Sequence, residues 1–515
     1  MKKSLFALLL VLPVLLGCKP AEIAVEGISL DKSELTVEIG GTATLTATVT
    51  PASATDKEVT WSIDHSEVAS VNGGVVTALA AGEAKIIAKC ALFYAVCHLT
   101  VPSGDEPPVP VTSLTKEEAE QARLQVISAW KTSEKARLQE IFAGQKGTAT
   151  GTDSFKGITR DYFYVTDVDN HRMKYFIDTY GAEPEGGHSL WISLHGGGED
   201  ATGQVNEGQW WNQQYMYLRA NPPQPAEGIY ISPRSYKDSW DMWFLRGNDD
   251  LFRQIIRTMV VLKGVNPDKV YLMGYSAGGD GVWRMAPRLA DHWAAASMMA
   301  GHPGSVRFEN LRNLPFMMWV GGNDSDYDRN KEVPAASGRI DALQRADSQG
   351  YVHSLHVQTG RPHWMELDDA AAFPWMAAYT RNPYPKKIVW RQENEEKKMP
   401  EAFFYWLKVA DKHISARSDD DAPGSSKERE AYLGKELTAS IDGNTITIGK
   451  CDYNSFTIYL NDSMVDLDKD VSVIFNGKTV FNGRVERRME VLERSMAERG
   501  DPSYVFPAEI VVRIR

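Results

Sequence analysis

A serine between glycines follows an apolar run in the segment "YLMGYSAGGDG", which spans Tyr271 to Gly281. The Gly-x-Ser-x-Gly spacing arises by chance in about one chain in six of this length, so its context has to decide its meaning. The preceding "KVYLM" predicts a strand and the following "AGGDGVWRMAPRLA" predicts a helix. A tight strand–turn–helix elbow exposes a serine for nucleophilic attack, which makes Ser276 the candidate nucleophile.

A serine hydroxyl becomes a useful nucleophile only with a base to take its proton and donors to hold the oxyanion. Upstream, the strand "SLWISLHGGG" ends at His195 and is followed by three glycines. Residues without side chains let backbone N–H groups approach a substrate carbonyl, so this segment predicts an oxyanion hole. The alternative is a glycine turn that only reverses the chain.

The orienting acid is expected after a later strand. The strand "PFMMWVGG" ends at "NDSDYD", about 50 residues beyond the serine, which is the expected place for that acid. Asp324 is the first acid beyond this strand and is the candidate, with Asp326 in reserve.

The same segment could also be interpreted as a calcium loop, because oxygen-bearing side chains alternate along it at Asp324, Asp326, Asp328 and Asn330. Such a loop needs glycine at its sixth position and a carboxylate at its twelfth. Here those positions hold Arg329 and Ala335. The sequence therefore disfavours calcium, and no metal ligand set is predicted.

The base is expected last in the chain. The strand "VHSLHVQ" leads into the loop "GRPHW", which presents His363 as the candidate base. His353 and His356 are competitors, but an offset of three on a strand directs them to opposite faces. They are therefore not expected to act as a metal pair or as the base.

Large aromatic residues follow two of these strands. Trp210 and Trp211 come after the glycine loop, and Arg234, Trp240 and Trp243 follow the strand "GIYISP". Ligands bind at the carboxyl edge of an α/β sheet, so all five are predicted to contact substrate. The rings would stack on a sugar or phenolic ring while the arginine pairs with a carboxylate or hydroxyl. Packing of the rings beneath long loops is the alternative.

The elements that position these residues alternate between near-continuous apolar strands and helices from Gly157 onward. This pattern predicts an α/β domain with a mostly parallel sheet covered on both faces. Its predicted bounds are 113–415, with Ser113 capping a long N-terminal helix.

With "LHGGG", "GYSAGG", "GGND" and "GRPHW" in this order, the central domain resembles an α/β-hydrolase. Within that fold it is similar to secreted esterases and depolymerases, which include feruloyl esterases and polyhydroxybutyrate depolymerases. The resemblance implies ester hydrolysis without a metal or organic cofactor. It also implies Ser276 as nucleophile, Asp324 as acid, His363 as base, and the N–H groups of Gly197 and Ala277 as oxyanion hole.

Two other functions remain open. A peptidase similar to prolyl oligopeptidase shares this fold and triad order, but the flanking sequence shows no blade-length repeats of a β-propeller. A surface adhesin with an inert hydrolase domain is the non-enzymatic alternative.

The flanking regions predict β structure. Residues 21–102 alternate with period two and predict a β-sandwich; "TLTATVTPASATDKEVTWS" and "VASVNGGVVTALAAGEAKI" resemble the group 2 bacterial immunoglobulin-like domain, a spacer or adhesive module. Residues 103–112 are rich in proline and predict a linker. Residues 432–515 predict a separate, small β-rich domain with a helix from about Glu486 to Arg499.

The N-terminus, "MKKSLFALLLVLPVLLGCKP", predicts a signal peptide over residues 1–17. The ending Leu15-Leu16-Gly17-Cys18 resembles a bacterial lipobox, which implies lipid on Cys18 and a cell-envelope location, periplasmic or surface-facing. An ordinary signal peptide is the alternative. Cys90 and Cys97 flank a predicted hairpin and leave a disulfide open.

The composition excludes one class of partner. The chain is 43% hydrophobic and 24% charged, as in folded globular proteins, and its formal net charge is −12. Nucleic acid is an unsuitable ligand for such an acidic chain, because phosphate binding requires an excess of Lys and Arg. Beyond the signal segment, no stretch is long and apolar enough to span a bilayer.

Overall fold

The computed structural model describes residues 23–91, 93–102, 113–144, 147–150, 159–166, 170–198, 207–245, 247–392, 402–409 and 435–514. They form two compact units that divide between Thr112 and Ser113. The predicted signal peptide, Cys18 and the predicted linker lie outside the described residues. No helix of the described part of the chain is long and apolar enough to cross a membrane.

The described part of the N-terminal unit contains nine strands. They are β1 (Gly27–Leu30), β2 (Glu34–Thr36), β3 (Thr42–Thr44), β4 (Ala47–Thr50), β5 (Thr60–Ile63), β6 (Ala69–Asn72), β7 (Val75–Ala78), β8 (Gly82–Cys90) and β9 (Phe93–Val101). The sheets have the orders β2-β9-β8-β5, β3-β7-β6 and β1-β4. Alternate side chains of β8 and β9 are buried in one apolar core, as period-two patterning predicts for a sandwich.

Cys90 and Cys97 are free and buried. In the β8–β9 pairing, Cys97 lies opposite Ile86, whereas Cys90 lies opposite Phe93 near the hairpin turn. This register separates the two sulfur atoms along the hairpin, so Cys90 and Cys97 do not form a disulfide in the structure.

The second unit begins with helix α1 (Lys116–Gly144). Its N-terminus is capped by Thr115: the threonine hydroxyl accepts from the Glu118 N–H at 3.2 Å, and the Glu118 carboxylate accepts from the Thr115 N–H at 2.8 Å. This reciprocal capping box begins the helix two residues after Ser113, the predicted cap.

The next strands are β10 (Gly147–Thr150), β11 (Thr159–Thr166), β12 (Arg172–Tyr175), β13 (Asp178–Tyr180), β14 (His188–Leu194), β15 (Gly228–Ile231), β16 (Pro233–Arg234), β17 (Val265–Tyr275), β18 (Ala295–Met299), β19 (Phe316–Gly321) and β20 (His353–Gln358). The accompanying helices are α2 (Glu207–Tyr215), α3 (Gly247–Lys263), α4 (Ala277–Arg288), α5 (Arg329–Ala346) and α6 (Ala372–Ala377). A seven-stranded sheet has the order β13-β15-β14-β17-β18-β19-β20 and is parallel except for β13.

Both faces of this sheet are covered. Along β14, Leu190 and Ile192 belong to one apolar cluster while Trp191 belongs to another. Because successive strand residues point to opposite faces, the two clusters lie on opposite sides of the sheet. The predicted α/β architecture is therefore observed, and the strand ends of one edge carry the residues of interest.

The last elements are β21 (Lys387–Arg391), β22 (Phe403–Phe404), β23 (Leu407–Val409), β24 (Glu436–Asp442), β25 (Thr445–Cys451), β26 (Ser455–Leu460), β27 (Val471–Phe475), β28 (Lys478–Gly483), α7 (Met489–Arg499) and β29 (Ala508–Arg513). They form sheets of the orders β21-β24-β25-β27-β28 and β22-β23-β26-β29.

These sheets do not form a separate domain that starts at 432. Strand β21 pairs with β24 and β23 pairs with β26, so strands from before residue 415 complete the sheets of the C-terminal region. One apolar cluster includes both Leu272 of the central sheet and Ile446 of β25. The predicted boundary therefore lies inside one compact unit.

Candidate active site

The nucleophile elbow is a tight turn at the end of β17. Ser276 has φ 58° and ψ −122°, a left-handed conformation that non-glycine residues rarely adopt, and helix α4 begins at the next residue. A Cβ on Gly278 would lie 2.1 Å from the Leu194 carbonyl oxygen, so only glycine fits there. The Ser276 N–H donates to the Met299 carbonyl at 2.9 Å, which fixes the strained turn to β18.

The structure brings the three predicted triad residues together. The Ser276 hydroxyl lies 2.9 Å from Nε2 of His363, and Nδ1 of His363 lies 2.7 Å from Oδ2 of Asp324. Asp324 is buried, while Ser276 is partly exposed. With the Nδ1–H donating to the carboxylate, Nε2 is free to accept the serine proton, which is the geometry of a Ser-His-Asp relay.

The acid loop follows β19. Asp324 donates its N–H to the Gly321 carbonyl at 3.0 Å, and its Oδ1 lies 3.6 Å from the buried guanidinium of Arg329. Tyr327 and Asp328 both adopt left-handed conformations. Asp326, the reserve acid, is exposed.

No group of three or more potential metal-ligating side chains occurs in the described part of the chain.

The base loop follows β20 and contacts the acid loop. The Asn323 N–H donates to the Arg361 carbonyl at 2.9 Å, and a Cβ on Gly321 would lie 2.0 Å from the Pro362 carbonyl oxygen. The two loops are thus held backbone to backbone just before His363.

The two competing histidines lie elsewhere. His353 is bonded to the Asp341 carboxylate at 3.1 Å, and His356 stacks on Trp319 with ring centroids 4.1 Å apart. His356 is also 2.9 Å from the Ser354 hydroxyl. Neither imidazole is hydrogen-bonded to Ser276.

The glycine loop after β14 lies against the elbow. A Cβ on Gly196 would come within 3.3 Å of the Ser276 Cβ. His195 is fully buried; its Nδ1 bonds the Gly196 carbonyl at 2.8 Å and its Nε2 accepts the Ser235 N–H at 3.2 Å. Burial lowers the pKa of His195 to about 3, so the ring stays neutral and anchors the loop. Ala277 opens α4, where the first amides have no acceptor within the helix.

Trp240 and Trp243 have different environments. Trp240 is 54% exposed, and a Cβ on Gly197 would lie 2.1 Å from its Cζ3 atom, so the indole covers the glycine loop. Trp243 is fully buried, and its Nε1 donates to the His195 carbonyl at 3.0 Å. Of these two indole rings, that of Trp240 is the exposed one.

The predicted substrate contacts of Trp210, Trp211 and Arg234 are wrong, as is that of Trp243. Trp210 and Trp211 are fully buried on α2, and Trp210 stacks on Phe176 with centroids 4.2 Å apart. Arg234 is buried, pairs with Asp238 and donates to the Ser235 carbonyl at 3.0 Å. The three indole rings are buried because removing large apolar rings from water stabilises the fold, whereas the guanidinium of Arg234 is held by polar contacts within its own loop.

The sequence did not predict a role for two residues that lie near the triad. Trp364 directly follows His363 and is 41% exposed, and Tyr275 directly precedes Ser276. Their rings lie 5.5 Å apart. The only sequence signal was their adjacency to predicted catalytic residues.

The comparisons with known proteins bear on each unit. Residues 24–89 match the family model of the bacterial Ig-like domain (group 2), as predicted. The N-terminal unit thus carries a group 2 bacterial Ig-like domain. A search of curated proteins finds no significant match.

Among solved structures, the chain is similar to a thermostable esterase at 16% identity, with 44% of this chain and 67% of that chain covered and a TM-score of 0.34. It is similar to Est1E from Butyrivibrio proteoclasticus at 15% identity, with 42% and 98% covered and a TM-score of 0.31. A mutant of the feruloyl esterase module from Clostridium thermocellum, complexed with sinapinate, is 13% identical, with 46% and 88% covered and a TM-score of 0.30.

Proposed function

We propose that the protein is a serine hydrolase that cleaves carboxylic esters through an acyl-enzyme on Ser276. The observation that carries this proposal is the hydrogen-bonded relay from Ser276 through His363 to buried Asp324, at 2.9 and 2.7 Å. The strained elbow and the adjoining glycine loop support the same chemistry, because they expose the serine beside backbone donors.

The reaction follows from these positions. Nε2 of His363 takes the hydroxyl proton as the Ser276 oxygen attacks the ester carbonyl, and the N–H groups of Gly197 and Ala277 hold the oxyanion. The imidazolium returns the proton to the departing alcohol, which leaves the acyl group on the serine. Water then repeats the cycle and releases the carboxylic acid. Asp324 keeps the imidazole in the required tautomer throughout.

The substrate class is proposed from the exposed aromatic rings. Trp240 covers the glycine loop and Trp364 follows the base, so both exposed rings belong to or cover segments that form the site around Ser276. Exposed aromatic faces stack well on pyranose and phenolic rings. We therefore propose carbohydrate-linked or hydroxycinnamate esters as substrates.

The location is part of the same proposal. A signal peptide ending in a lipobox would place lipid on Cys18 and tether the enzyme to the cell envelope. The Ig-like domain then stands between the lipid and the hydrolase in the sequence, where a spacer is useful.

A fluorophosphonate probe tests the reaction type, since it labels only an activated serine. The chain beginning at Ala21 should be labelled at Ser276 and the Ser276→Ala variant should not. Ser354 is a matched internal control, because its hydroxyl is also 2.9 Å from a histidine nitrogen but lies outside the elbow. Labelling of neither serine would favour an inert adhesin.

A substrate panel then separates the enzyme classes. Acetylated, feruloylated and polyester substrates are compared with peptide amides. Faster turnover of amides than of esters would favour a peptidase and contradict the proposal.

A further inference from the structure

The residue before the candidate nucleophile is bonded to the loop of the candidate base. Tyr275 is the last residue of β17 and its side chain is buried. Its hydroxyl donates to the His363 carbonyl at 2.7 Å and accepts from the Met365 N–H at 2.9 Å. One oxygen atom therefore holds the backbone on both sides of the short segment 363–365.

The other end of the base loop is held by a different element. Asn323 of the acid loop donates to the Arg361 carbonyl from its N–H at 2.9 Å and to the Gly360 carbonyl from its side chain at 3.1 Å. Residues 360–361 are thus attached to the acid loop, and residues 363–365 to the nucleophile elbow. The base lies between the two attachments.

The His363 side chain is 36% exposed, so close packing alone does not fix its position. Its ring meets the Tyr275 ring edge-on, with centroids 6.0 Å apart and planes at 73°. Besides its bond to Asp324, the imidazole therefore depends for its position on the loop backbone that carries it, and the tyrosine hydroxyl is bonded to that backbone.

The hydroxyl is suited to this task across the working pH range. Burial, with a further contribution from the neighbouring carboxylate of Asp369, raises the pKa of Tyr275 far above its ordinary value. The hydroxyl stays protonated and can donate and accept at once.

We propose that Tyr275 is a positioning residue that holds the His363 imidazole within hydrogen-bond distance of the Ser276 oxygen. The proposal rests on the proposed function of the Ser276 site. Tyr275 and Ser276 are adjacent in sequence, so the end of β17 carries both the candidate nucleophile and the residue that holds the loop of its base.

A second tyrosine on the same strand provides a matched control. The Tyr271 hydroxyl also donates to a backbone carbonyl, that of Tyr379, at 2.9 Å. It lies four residues earlier in β17 and does not bond the base loop. Tyr271→Phe and Tyr275→Phe therefore remove the same group from the same strand.

Both variants are expected to fold. The melting temperature of each should fall by a similar amount, on the order of 2 °C, because each substitution removes one buried hydroxyl. Tyr275→Phe should lower kcat on an aryl ester by about 10- to 100-fold with KM unchanged, since misplacing a catalytic group affects the chemical step. Tyr271→Phe should change kcat less than about twofold. Equal kcat values in the two variants would overturn the proposal.

A spectroscopic reading separates this proposal from the proposed function. The His363 Nδ1 proton, bonded to Asp324, is followed by NMR without substrate. Its signal should broaden or shift in Tyr275→Phe and persist in Tyr271→Phe. If the wild-type chain hydrolyses no ester and this difference is nevertheless observed, the function fails and the positioning role stands. If esters are hydrolysed and neither kcat nor the signal responds to Tyr275→Phe, the positioning role is wrong.

Discussion

The guanidinium of Arg499 in α7 donates to Oδ2 of Asp291 at 2.6 Å, and both side chains are almost fully buried. The two residues are 208 positions apart. Asp291 follows α4, the helix that begins at the nucleophile elbow, and it also accepts the N–H of Tyr405 at 3.2 Å. A buried ion pair therefore connects the C-terminal helix to the body that carries the site.

Breaking this pair should destabilise the whole second unit. Arg499→Met removes the permanently charged partner of Asp291, which keeps only its contact with His292 at 2.8 Å among its ion pairs, so we expect a loss of about 3–5 kcal/mol in the free energy of unfolding. Arg494→Met is the control on the same helix, because the Arg494–Glu509 pair at 2.6 Å is partly exposed and contributes less than about 1 kcal/mol. Urea unfolding measures both, and similar losses would contradict a structural role specific to the buried pair.

The depressed pKa of His195 predicts a pH dependence of stability. Unfolded histidine titrates near 6.5, whereas burial lowers the pKa of folded His195 to about 3. Between these values the unfolded chain binds a proton that the folded chain does not, so stability is full above about pH 6.5 and falls as the pH drops.

The slope should be about 1 kcal/mol per pH unit for this residue, with a further loss from His292, whose pKa burial also lowers. The measurement is the free energy of unfolding from pH 7.5 to 5 in wild type and His195→Asn. The variant should show a shallower slope; an unchanged slope would contradict the assignment.

The order of the triad could be predicted from the sequence because each member follows a strand of a recognisable pattern. Ser276, Asp324 and His363 follow β17, β19 and β20 of the same sheet, and parallel strands bring such ends to one edge. The direction in which a side chain points could not be predicted in the same way, because it depends on contacts with distant parts of the chain. The sequence predicts substrate contacts for Trp210 and Trp211, but the helix that carries them buries both rings against Phe176, and that burial depends on tertiary packing.

Non-local strand pairing accounts for the other differences. Residues 387–391 pair with residues 436–440 across a long intervening segment, and the sequence contains no local signal for such pairing. The bond between Tyr275 and the His363 loop joins residues 88 positions apart and was invisible for the same reason.

Substitution of the triad residues tests their roles directly. Ser276→Ala and His363→Ala should each lower kcat by about 10⁴-fold or more with the fold intact, because the relay acts as a unit. His353→Ala and His356→Ala should retain most activity, since their rings are bonded elsewhere. Loss of activity in one of these controls, with a fully active His363→Ala, would mean that the base is misassigned.

The proposed lipid anchor predicts a change in fractionation. Cys18→Ser should move the protein from the membrane to the soluble fraction, because a serine cannot receive the thioether-linked lipid. Metabolic labelling with a fatty acid should disappear in the same variant. Membrane association that survives the substitution would contradict the lipobox, and Cys451→Ser serves as the control.

Trp240 and Trp243 provide the sharpest test of the substrate proposal, because they are three residues apart and differ in burial. Trp240→Ala should raise KM for hydroxycinnamate or sugar esters by about 2- to 10-fold, the value of one aromatic contact, and leave KM for a small acetate ester unchanged. Trp243→Ala should instead lower stability by about 3–5 kcal/mol and affect all esters alike, since it removes a fully buried ring. Michaelis constants on the two substrate sizes, with melting temperatures, distinguish the two effects. Equal increases on both substrates in Trp240→Ala would show that this ring supports the glycine loop and does not contact the substrate.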